Sequence, residues 1–233
     1  MKKFVYIGLA VVAVIAAIVL SGGGKEESAA QPTNNVIGTS KSGVVLVEYA
    51  DFQCPGCASF YPILKEIKER YKDEISFQFV NFPLSQIHPN AIPAHRAAHA
   101  ASMQGKFWEM HDILYENQTV WQGSTNIVRD LEAYATQIGL DIAKFKTDYA
   151  SATTNKIIQA DIKTGQDKNV TGTPTFFLDG KQIEDNNSIA TVEKFSKLIE
   201  DAIEAKTGKR PNISTTEPAV QPAAQTDPNT SSN

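Results

Sequence analysis

Cysteine is scarce in this sequence, which contains only two among its 233 residues, Cys54 and Cys57. Proteins that depend on disulfides for stability usually pair cysteines far apart, because such a bond stabilises most when it closes a long loop. A bond between Cys54 and Cys57 would close almost no loop. The scarcity therefore excludes a framework of structural disulfides and indicates that this pair serves chemistry.

An excess of positive charge is also lacking. The chain has 22 lysine and arginine residues against 26 aspartate and glutamate residues, which gives a net charge of −4. Proteins that bind nucleic acid neutralise its phosphates with clustered lysine and arginine. Because the two signs are mixed along this chain and form no basic patch, we expect no nucleic-acid partner.

A long apolar run occurs once, at the N-terminus. The segment Phe4–Leu20 contains no charged residue and follows Lys2 and Lys3, a pattern typical of an export signal. It approaches the ~20 residues that a membrane-spanning helix needs, so residues 1–24 are either a cleaved signal or a retained signal anchor. The small residues Ser21–Gly24 suit cleavage and leave both interpretations open. In either case the rest of the chain is expected outside the cytoplasm.

Two further segments are not expected to fold. Residues 25–40 are predicted to be a flexible tether, which favours the retained anchor. Residues 210–233 are rich in Pro, Thr, Ser, Gln and Ala and have too few large apolar side chains to offset the entropy of ordering, so we expect a disordered tail. The remaining residues, 41–209, have the length of one ordinary domain.

The domain begins with the signals of a strand, a helix and a second strand. The valine-rich run Gly43–Ala50 is typical of a buried strand. Ala58–Tyr71 follows with helical spacing of its apolar residues, and Pro55 suits the first turn of that helix. Ile75–Phe82 predicts the second strand. This order indicates a crossover unit with two parallel strands.

A block of predicted helices follows, over about residues 88–168. Asp179 and Gly180 then form the expected turn of a β-hairpin, and Thr191–Ala205 is the last amphipathic helix. Because sheet elements lie on both sides of the helical block, we interpret the block as an insertion in an α/β fold. The helices predicted within it are Ala91–Met103, Gly105–Tyr115, Ile127–Ile138 and Ile142–Gln166.

The position of the two cysteines predicts their chemistry. A thiol attacks only as the thiolate, and the free N–H groups at the start of a helix stabilise a negative sulfur there. Cys54 lies at that start, and Cys57 lies one turn later on the same face. We therefore expect Cys54 to be the exposed sulfur of low pKa that forms mixed disulfides with substrates, and Cys57 to be its shielded partner.

A zinc site is the alternative interpretation of this cysteine spacing. Tetrahedral zinc would need two more ligands, which His88, His95, His99 or His111 would have to supply. A structural zinc pair usually lies on a turn, whereas these cysteines lie between a buried strand and a helix start. The redox interpretation is therefore preferred, and no metal or other cofactor is predicted.

Thr173 and Pro174 form a second candidate feature. An X-Pro bond ahead of a buried strand can be cis. A plain strand entry is the simpler interpretation of this bond alone, but the dithiol and the predicted fold favour the cis form. A cis Pro174 beside Cys54 would leave the backbone of Thr173 free to pair with an extended substrate. We assign substrate contacts to these two residues and to Pro55 and Gly56 between the cysteines.

Glu48 is a third candidate, because it is the one charged residue in its apolar strand and precedes Cys54 by six positions. Burying a carboxylate is costly unless it has a function or a partner. We expect Glu48 to lie beneath the dithiol, to have a raised pKa through desolvation and to exchange protons with Cys57. The alternative is a glutamate that is exposed or paired with lysine.

Taken together, these residues resemble the DsbA-like branch of the thioredoxin superfamily, from about Gly43 to Ala205. The resemblance implies an α/β thioredoxin-like fold with an inserted helical domain. The positions that carry it are Glu48, Cys54-Pro55-Gly56-Cys57, Pro62, Asn81-Phe82-Pro83-Leu84, His88-Pro89, Gln104-Gly105-Lys106-Phe107-Trp108-Glu109-Met110-His111 and Thr173-Pro174.

The resemblance also implies a function. A protein of this kind oxidises cysteines in exported proteins and is recharged by a quinone-linked membrane oxidase, DsbB-like or similar to vitamin K epoxide reductase. Because the sequence contains no segment typical of dimerisation, we expect a monomer. Strong oxidants of the family have histidine where this chain has Gly56, and threonine at the position of Thr173 also occurs in relatives that reduce or isomerise disulfides. A reductase or isomerase of the same fold is therefore the first alternative, and a membrane-tethered metal-binding module is the second.

Overall fold

The computed structural model describes residues 31–213, so the predicted signal or anchor and most of the predicted tail lie outside the described residues. No helix within the described range is long and apolar enough to cross a bilayer. The strands are β1 (Asn35–Ile37), β2 (Val44–Ala50), β3 (Ile75–Asn81), β4 (Thr175–Leu178) and β5 (Lys181–Gln182). The α-helices are α1 (Pro55–Arg70), α2 (Ala91–Ser102), α3 (Phe107–Glu116), α4 (Gln118–Trp121), α5 (Ile127–Gln137), α6 (Ile142–Ala150), α7 (Ala152–Asp167) and α8 (Val192–Thr207).

The strands form one mixed sheet in the order β1-β3-β2-β4-β5. Strands β2 and β3 are parallel, with Val44 opposite Ile75 and Ala50 opposite Asn81, which confirms the predicted parallel pair. The predicted hairpin is confirmed as well, because β4 pairs antiparallel with β5. Helices α2 to α7 all lie between β3 and β4 in the chain, as expected for a helical insertion in an α/β fold.

The predicted tether is wrong over its last part, because Asn35–Ile37 form an edge strand antiparallel to β3. Just before this strand, Thr33 donates from its backbone N and its Oγ1 to the buried carboxylate of Asp161, at 2.7 and 2.6 Å. Three residues are too few to display strand periodicity in a sequence. The strand depends on contacts with β3 and α7, which are remote in the chain.

The single helix predicted over Ile142–Gln166 is also wrong, since the structure has two helices there, α6 and α7. They are separated at Ser151, whose backbone is extended, with φ −63° and ψ 137°. The Ser151 side chain accepts a hydrogen bond from the backbone N of Thr153 at 3.1 Å. This is the action of an N-cap residue, and it starts a new helix directly after the previous one.

The two largest apolar clusters among the described residues hold the sheet and the helices together. The first joins Val44 and Leu46 of β2 to Leu64 of α1 and Phe195 of α8. The second joins the helical insertion to the end of the sheet around Phe52 and Phe79. Helix α2 contributes mainly small side chains to it, and these let neighbouring helices approach closely; the buried alanines of α2 are Ala91, Ala94, Ala97, Ala98, Ala100 and Ala101.

Gly165 allows α7 to pack against the sheet. A Cβ atom at this position would lie 2.6 Å from the ring of Phe82 and 3.1 Å from the ring of Tyr49. Both distances are shorter than ordinary carbon–carbon contacts. The absence of a side chain at Gly165 is therefore a packing requirement.

We predict that Gly165→Ala lowers the free energy of unfolding by about 1–3 kcal/mol, because overpacking the helix–sheet contact outweighs the gain in helix propensity. Urea denaturation measures the effect. Gly123→Ala is the matched control, since a Cβ there meets no atom within 4 Å. Equal stability of the two variants would contradict the packing role of Gly165.

Candidate active site

The cysteines lie at the start of α1, directly after the turn that follows β2. The carboxylate of Asp51 accepts from the backbone N of Gln53 at 2.8 Å, and the Asp51 carbonyl accepts from the backbone N of Cys54 at 3.0 Å. Cys54 is the residue before the helix, with extended backbone at φ −70° and ψ 123°, and Pro55 opens the first turn. The tight turn therefore places the sulfur of Cys54 at the N-terminal end of α1.

The sulfur of Cys54 is surrounded by hydrogen-bond donors. Its hydrogen bond with the Cys57 thiol is the strongest influence, and it lowers the pKa of Cys54 to about 5 against the opposing effect of burial. Thr173 and the backbone N–H groups of Gly56 and Cys57 lower it further. As a thiol, Cys54 also donates from Sγ to the Thr173 carbonyl at 3.3 Å.

Cys57 has the opposite environment. Its side chain is completely buried, and burial raises its pKa well above the ordinary value. The hydrogen bond to Cys54 and the charge of Glu48 raise this pKa further. Both cysteines are free thiols in this structure. Cys54 is less exposed than we predicted, at 8%, because Thr173 and Pro174 cover it from the side.

The Thr173–Pro174 peptide bond is cis, as predicted. A Cβ atom on Gly56 would lie 3.3 Å from Pro174 Cδ, 3.6 Å from Cys54 Sγ and 3.7 Å from the Thr173 carbonyl oxygen. The structure therefore brings Gly56, Thr173 and Pro174 together around the sulfur of Cys54. Pro55 is exposed beside them at the start of α1.

Glu48 lies on β2 beneath the dithiol and is only 1% exposed, so the alternative of an exposed glutamate is wrong. Desolvation raises its pKa to about 8, although Lys68 acts in the opposite direction. Neither carboxyl oxygen has a hydrogen-bond partner among the described residues. Glu48 is consequently protonated at neutral pH and holds a proton close to Cys57.

Lys68 is a charged neighbour of this region that sequence reasoning missed. Its side chain is only 10% exposed, although lysine is usually found at the surface. Its Nζ lies 4.6 Å from the Trp108 ring centroid and 3.7 Å from the Asp112 carboxylate. Helix α3 covers this side of α1, and no local pattern around Lys68 indicates that contact.

Asp51 is a second group whose contacts the sequence did not indicate. It is fully buried, and its Oδ2 accepts from the backbone N of Leu84 at 2.8 Å and contacts His88 Nδ1 at 2.7 Å. Burial opposes ionisation, but the contacts with His95, His88 and Leu84 keep the pKa of Asp51 below its ordinary value. The carboxylate thus fixes the loop before Cys54.

Two histidines proposed as alternative zinc ligands have hydrogen-bond partners instead. His88 contacts Asp51, and His95 Nδ1 lies 2.6 Å from the Asn81 side-chain oxygen. Within residues 31–213, no group of three or more His, Cys, Asp or Glu side chains is arranged to hold a metal ion.

The helical insertion also holds the loop in place through amide side chains. Gln118 donates from Nε2 to the carbonyls of Phe52 and Cys54, at 2.8 and 3.0 Å. Gln53 donates to the Gln122 carbonyl at 2.9 Å and accepts from the backbone N of Asn90 at 2.7 Å. These bonds connect the cysteine loop to two separate parts of the insertion, so the insertion fixes the geometry of the site.

Among curated proteins, the chain is similar to part of several sodium–proton antiporters. It is 36% identical over 149 residues to Na(+)/H(+) antiporter NhaA 3 of Salinispora tropica, a match that covers 64% of this chain and 22% of the antiporter. NhaA 1 of Salinispora arenicola is 35% identical over 149 residues with the same coverage. The chain therefore spans about a fifth of the length of the curated relatives it matches.

Among solved structures, the fold is similar to those of several bacterial proteins. BdbD from Bacillus subtilis has a TM-score of 0.64 at 22% identity, over 76% of this chain and 97% of that chain. Alpha-DsbA1 from Wolbachia pipientis has a TM-score of 0.62 at 20% identity, over 75% and 93%. The MdbA thiol-disulfide oxidoreductase from Actinomyces oris has a TM-score of 0.61 at 20% identity, over 75% and 93%. These matches confirm the predicted thioredoxin-like fold with a helical insertion.

The family model agrees with the structural matches. The model described as Thioredoxin matches residues 30–201, a range that includes the sheet, the dithiol and the whole helical insertion. The chain therefore belongs to the thioredoxin family and has the DsbA-like form of its fold.

Proposed function

We propose that this chain is a thiol–disulfide oxidoreductase that introduces disulfides into exported proteins. The observation that carries the proposal is the opposite acidity of two neighbouring sulfurs. The pKa of Cys54 is lowered to about 5, whereas the pKa of the buried Cys57 is raised. A sulfur that is ionised at neutral pH is a good leaving group and a reactive nucleophile, and its neighbour is protected from solvent.

The proposed reaction begins with a disulfide between Cys54 and Cys57. A substrate thiolate attacks Cys54 Sγ, the bond between the two cysteines breaks, and Cys57 leaves with the electron pair. A second substrate thiolate then attacks the substrate sulfur of this mixed disulfide, and Cys54 leaves as a thiolate. Two electrons have passed from the substrate to the enzyme, and the substrate has gained one disulfide.

The acidity of Cys54 favours the oxidising direction. Stabilising its thiolate stabilises the reduced enzyme, and this raises the reduction potential of the dithiol. The second candidate is a reductase or isomerase of the same fold. Gly56 favours this candidate, because a histidine at that position would stabilise the Cys54 thiolate further and make the dithiol more oxidising. A reduction potential as low as that of thioredoxin, ~−270 mV, would support this second candidate.

Substrate binding is proposed at the cluster around Cys54. Thr173 and Pro174 directly precede β4, and Thr173 Oγ1 is buried without a hydrogen-bond partner in the described part of the chain. An extended substrate can align beside the Thr173 backbone while its cysteine reaches Cys54. Pro55 and Gly56 complete the surface on the helix side.

The location and the partner are proposed from the sequence and from this chemistry. The N-terminal run Phe4–Leu20 after two lysines supports export, with the domain outside the cytoplasm. Each turnover leaves the dithiol reduced, so a quinone-linked membrane oxidase is the proposed recharging partner. Cysteine-containing exported proteins are the proposed substrates of the monomer. We do not propose sodium–proton antiport for this chain, because the match covers only 22% of the antiporter's length.

Serine substitutions separate the proposed roles of the two cysteines. We expect Cys54→Ser to abolish oxidation of a reduced two-cysteine peptide by the oxidised protein, because the attacking sulfur is lost. We expect Cys57→Ser to accumulate mixed disulfides when it is mixed with a substrate disulfide, because the Cys54 thiolate attacks that disulfide and Cys57 is no longer present to displace the bound substrate from Cys54. Mass spectrometry before and after reduction measures both outcomes. Activity in the Cys54 variant, or no trapped substrate with the Cys57 variant, would contradict the assignment.

Glu48 is predicted to destabilise the fold in a pH-dependent way. Its folded pKa of about 8 lies above the ordinary value of 4.5, so the unfolded chain loses this proton between those two pH values and the folded protein does not. At pH 7 this linkage costs up to about 3 kcal/mol. Glu48→Gln should therefore raise the free energy of unfolding at pH 7 and change it little at pH 4.

Chemical denaturation of the reduced protein at both pH values measures this difference. The matched control is Glu109→Gln, because the Glu109 side chain is 45% exposed and is paired with Lys106 at the surface. The control should show no such pH-dependent gain. A Glu48 variant that is no more stable than the native protein at pH 7 would contradict the raised pKa.

A further inference from the structure

A buried network of hydrogen bonds runs from the N-terminal end of the described residues to the loop before Cys54, and the exchange chemistry described above does not use it. Its members come from five separate segments of the chain and are at most 8% exposed: Thr33, Asp161, Asn81, His95 and Phe52. Burying polar groups is costly unless each one is paired. The direction of each hydrogen bond therefore shows what the network holds in place.

Asp161 on α7 fixes the direction of these bonds. Its Oδ1 accepts from the backbone N of Thr33 at 2.7 Å, and its Oδ2 accepts from Thr33 Oγ1 at 2.6 Å. The same Oδ2 accepts from Nδ2 of Asn81 at 2.5 Å and from the backbone N of Asn81 at 3.3 Å. Because a carboxylate only accepts hydrogen bonds, Asn81 presents its NH2 group to Asp161 and its side-chain oxygen to the other side.

The Asn81 oxygen in turn fixes the tautomer of His95 on α2. It lies 2.6 Å from His95 Nδ1, and since a carbonyl oxygen accepts, Nδ1 carries the hydrogen. Nε2 is then an acceptor, and the backbone N of Phe52 donates to it over a long distance of 3.4 Å. The Asp51 carboxylate is 3.8 Å from Nε2, which is beyond hydrogen-bond distance. A backbone N–H can only donate, so Phe52 requires the same tautomer as Asn81.

Phe52 is the residue that the network holds. Its N–H donates to His95, its carbonyl accepts from Gln118 Nε2 at 2.8 Å, and its ring centroid lies 4.7 Å from that of His95. Cys54 follows only two positions later. The orientation of the Phe52 peptide therefore influences how the loop places the Cys54 sulfur at the start of α1.

We propose that His95 is a positioning residue for Cys54, which acts by accepting from the Phe52 N–H in the tautomer that Asn81 and Asp161 impose. The proposal rests on the proposed function, since it concerns the sulfur that exchanges. Without this bond the Phe52 N–H is buried without an acceptor, which is costly, and the loop shifts to find another partner. The Cys54 sulfur then loses part of its alignment with the N–H groups that stabilise its thiolate.

The tautomer of His95 in the native protein is the first test, and it needs no substitution. The two ring nitrogens of a histidine have different 15N chemical shifts with and without hydrogen, so NMR of the 15N-labelled, reduced protein identifies the nitrogen that carries it. We expect hydrogen on Nδ1 of His95 and none on Nε2. Hydrogen on Nε2 overturns the proposal, because His95 could then not accept from Phe52.

Two substitutions of His95 separate the two bonds of its ring. Gln can place its side-chain oxygen near the position of Nε2 and keep the acceptor for Phe52. The shorter Asn keeps a donor to Asn81 and loses that acceptor. Alkylation of Cys54 by iodoacetamide over a pH series should show a midpoint about 0.5 to 1 pH unit higher in His95→Asn, and a midpoint closer to the native one in His95→Gln. Native midpoints in both variants, or equal increases in both, overturn the proposal.

Asn81→Leu tests whether the rest of the network acts through His95, because leucine has a similar size and cannot accept from Nδ1. It should raise the midpoint as His95→Asn does, and the double variant should raise it no further. Thr154→Val is the matched control. Thr154 is a buried residue of α7 whose Oγ1 donates to the Asp148 carbonyl at 2.6 Å, outside the network. A native midpoint in Asn81→Leu, or a raised midpoint in Thr154→Val, would contradict the assigned path.

These outcomes are distinguishable from a failure of the proposed function. All of the measurements use the reduced protein, so a native disulfide that does not exchange with dithiothreitol overturns the proposed function and leaves the tautomer and the midpoint differences measurable. A protein that exchanges, but carries hydrogen on Nε2 of His95, overturns only the positioning role.

Discussion

The stabilisation of a negative sulfur at the start of α1 is the interaction on which the rest of the site depends. Cys54 receives it from the Cys57 thiol, from Thr173 and from backbone N–H groups of the first turn. Different elements of the fold place these groups around the sulfur. The central strand β2 positions the turn, the helix supplies the N–H groups, and the cis bond before Pro174 brings Thr173 beside the sulfur.

The region beneath the dithiol favours protonated groups instead of a negative charge. Burial there keeps Cys57 and Glu48 protonated at neutral pH, and the low polarity increases the influence of each nearby charge. Lys68 enters this region from α1 with its ammonium against Trp108. The sulfur of Cys54 is therefore ionised and reactive, while Cys57 and the Glu48 carboxyl are protonated. The helical insertion covers Cys57 and Glu48.

The sequence predicted the features that depend on neighbours along the chain. The helix start at Cys54, the hairpin at Asp179 and the cis bond before Pro174 each have a local signal, and Glu48 was recognised because it interrupts an apolar strand. Other features depend on contacts between distant segments. Strand β1 needs β3, Lys68 is buried by α3, and the Asp51 carboxylate meets His88 across 37 positions, so no window of sequence contains both partners.

The pH dependence of Cys54 alkylation tests the central claim most directly. The reduced protein would be treated with iodoacetamide over a series of pH values, and the modified Cys54 peptide would be followed by mass spectrometry. We predict a reaction rate that rises with a midpoint near pH 5, in keeping with the lowered pKa of Cys54, and little modification of the buried Cys57. A midpoint near the ~8.5 of an ordinary free cysteine would contradict it.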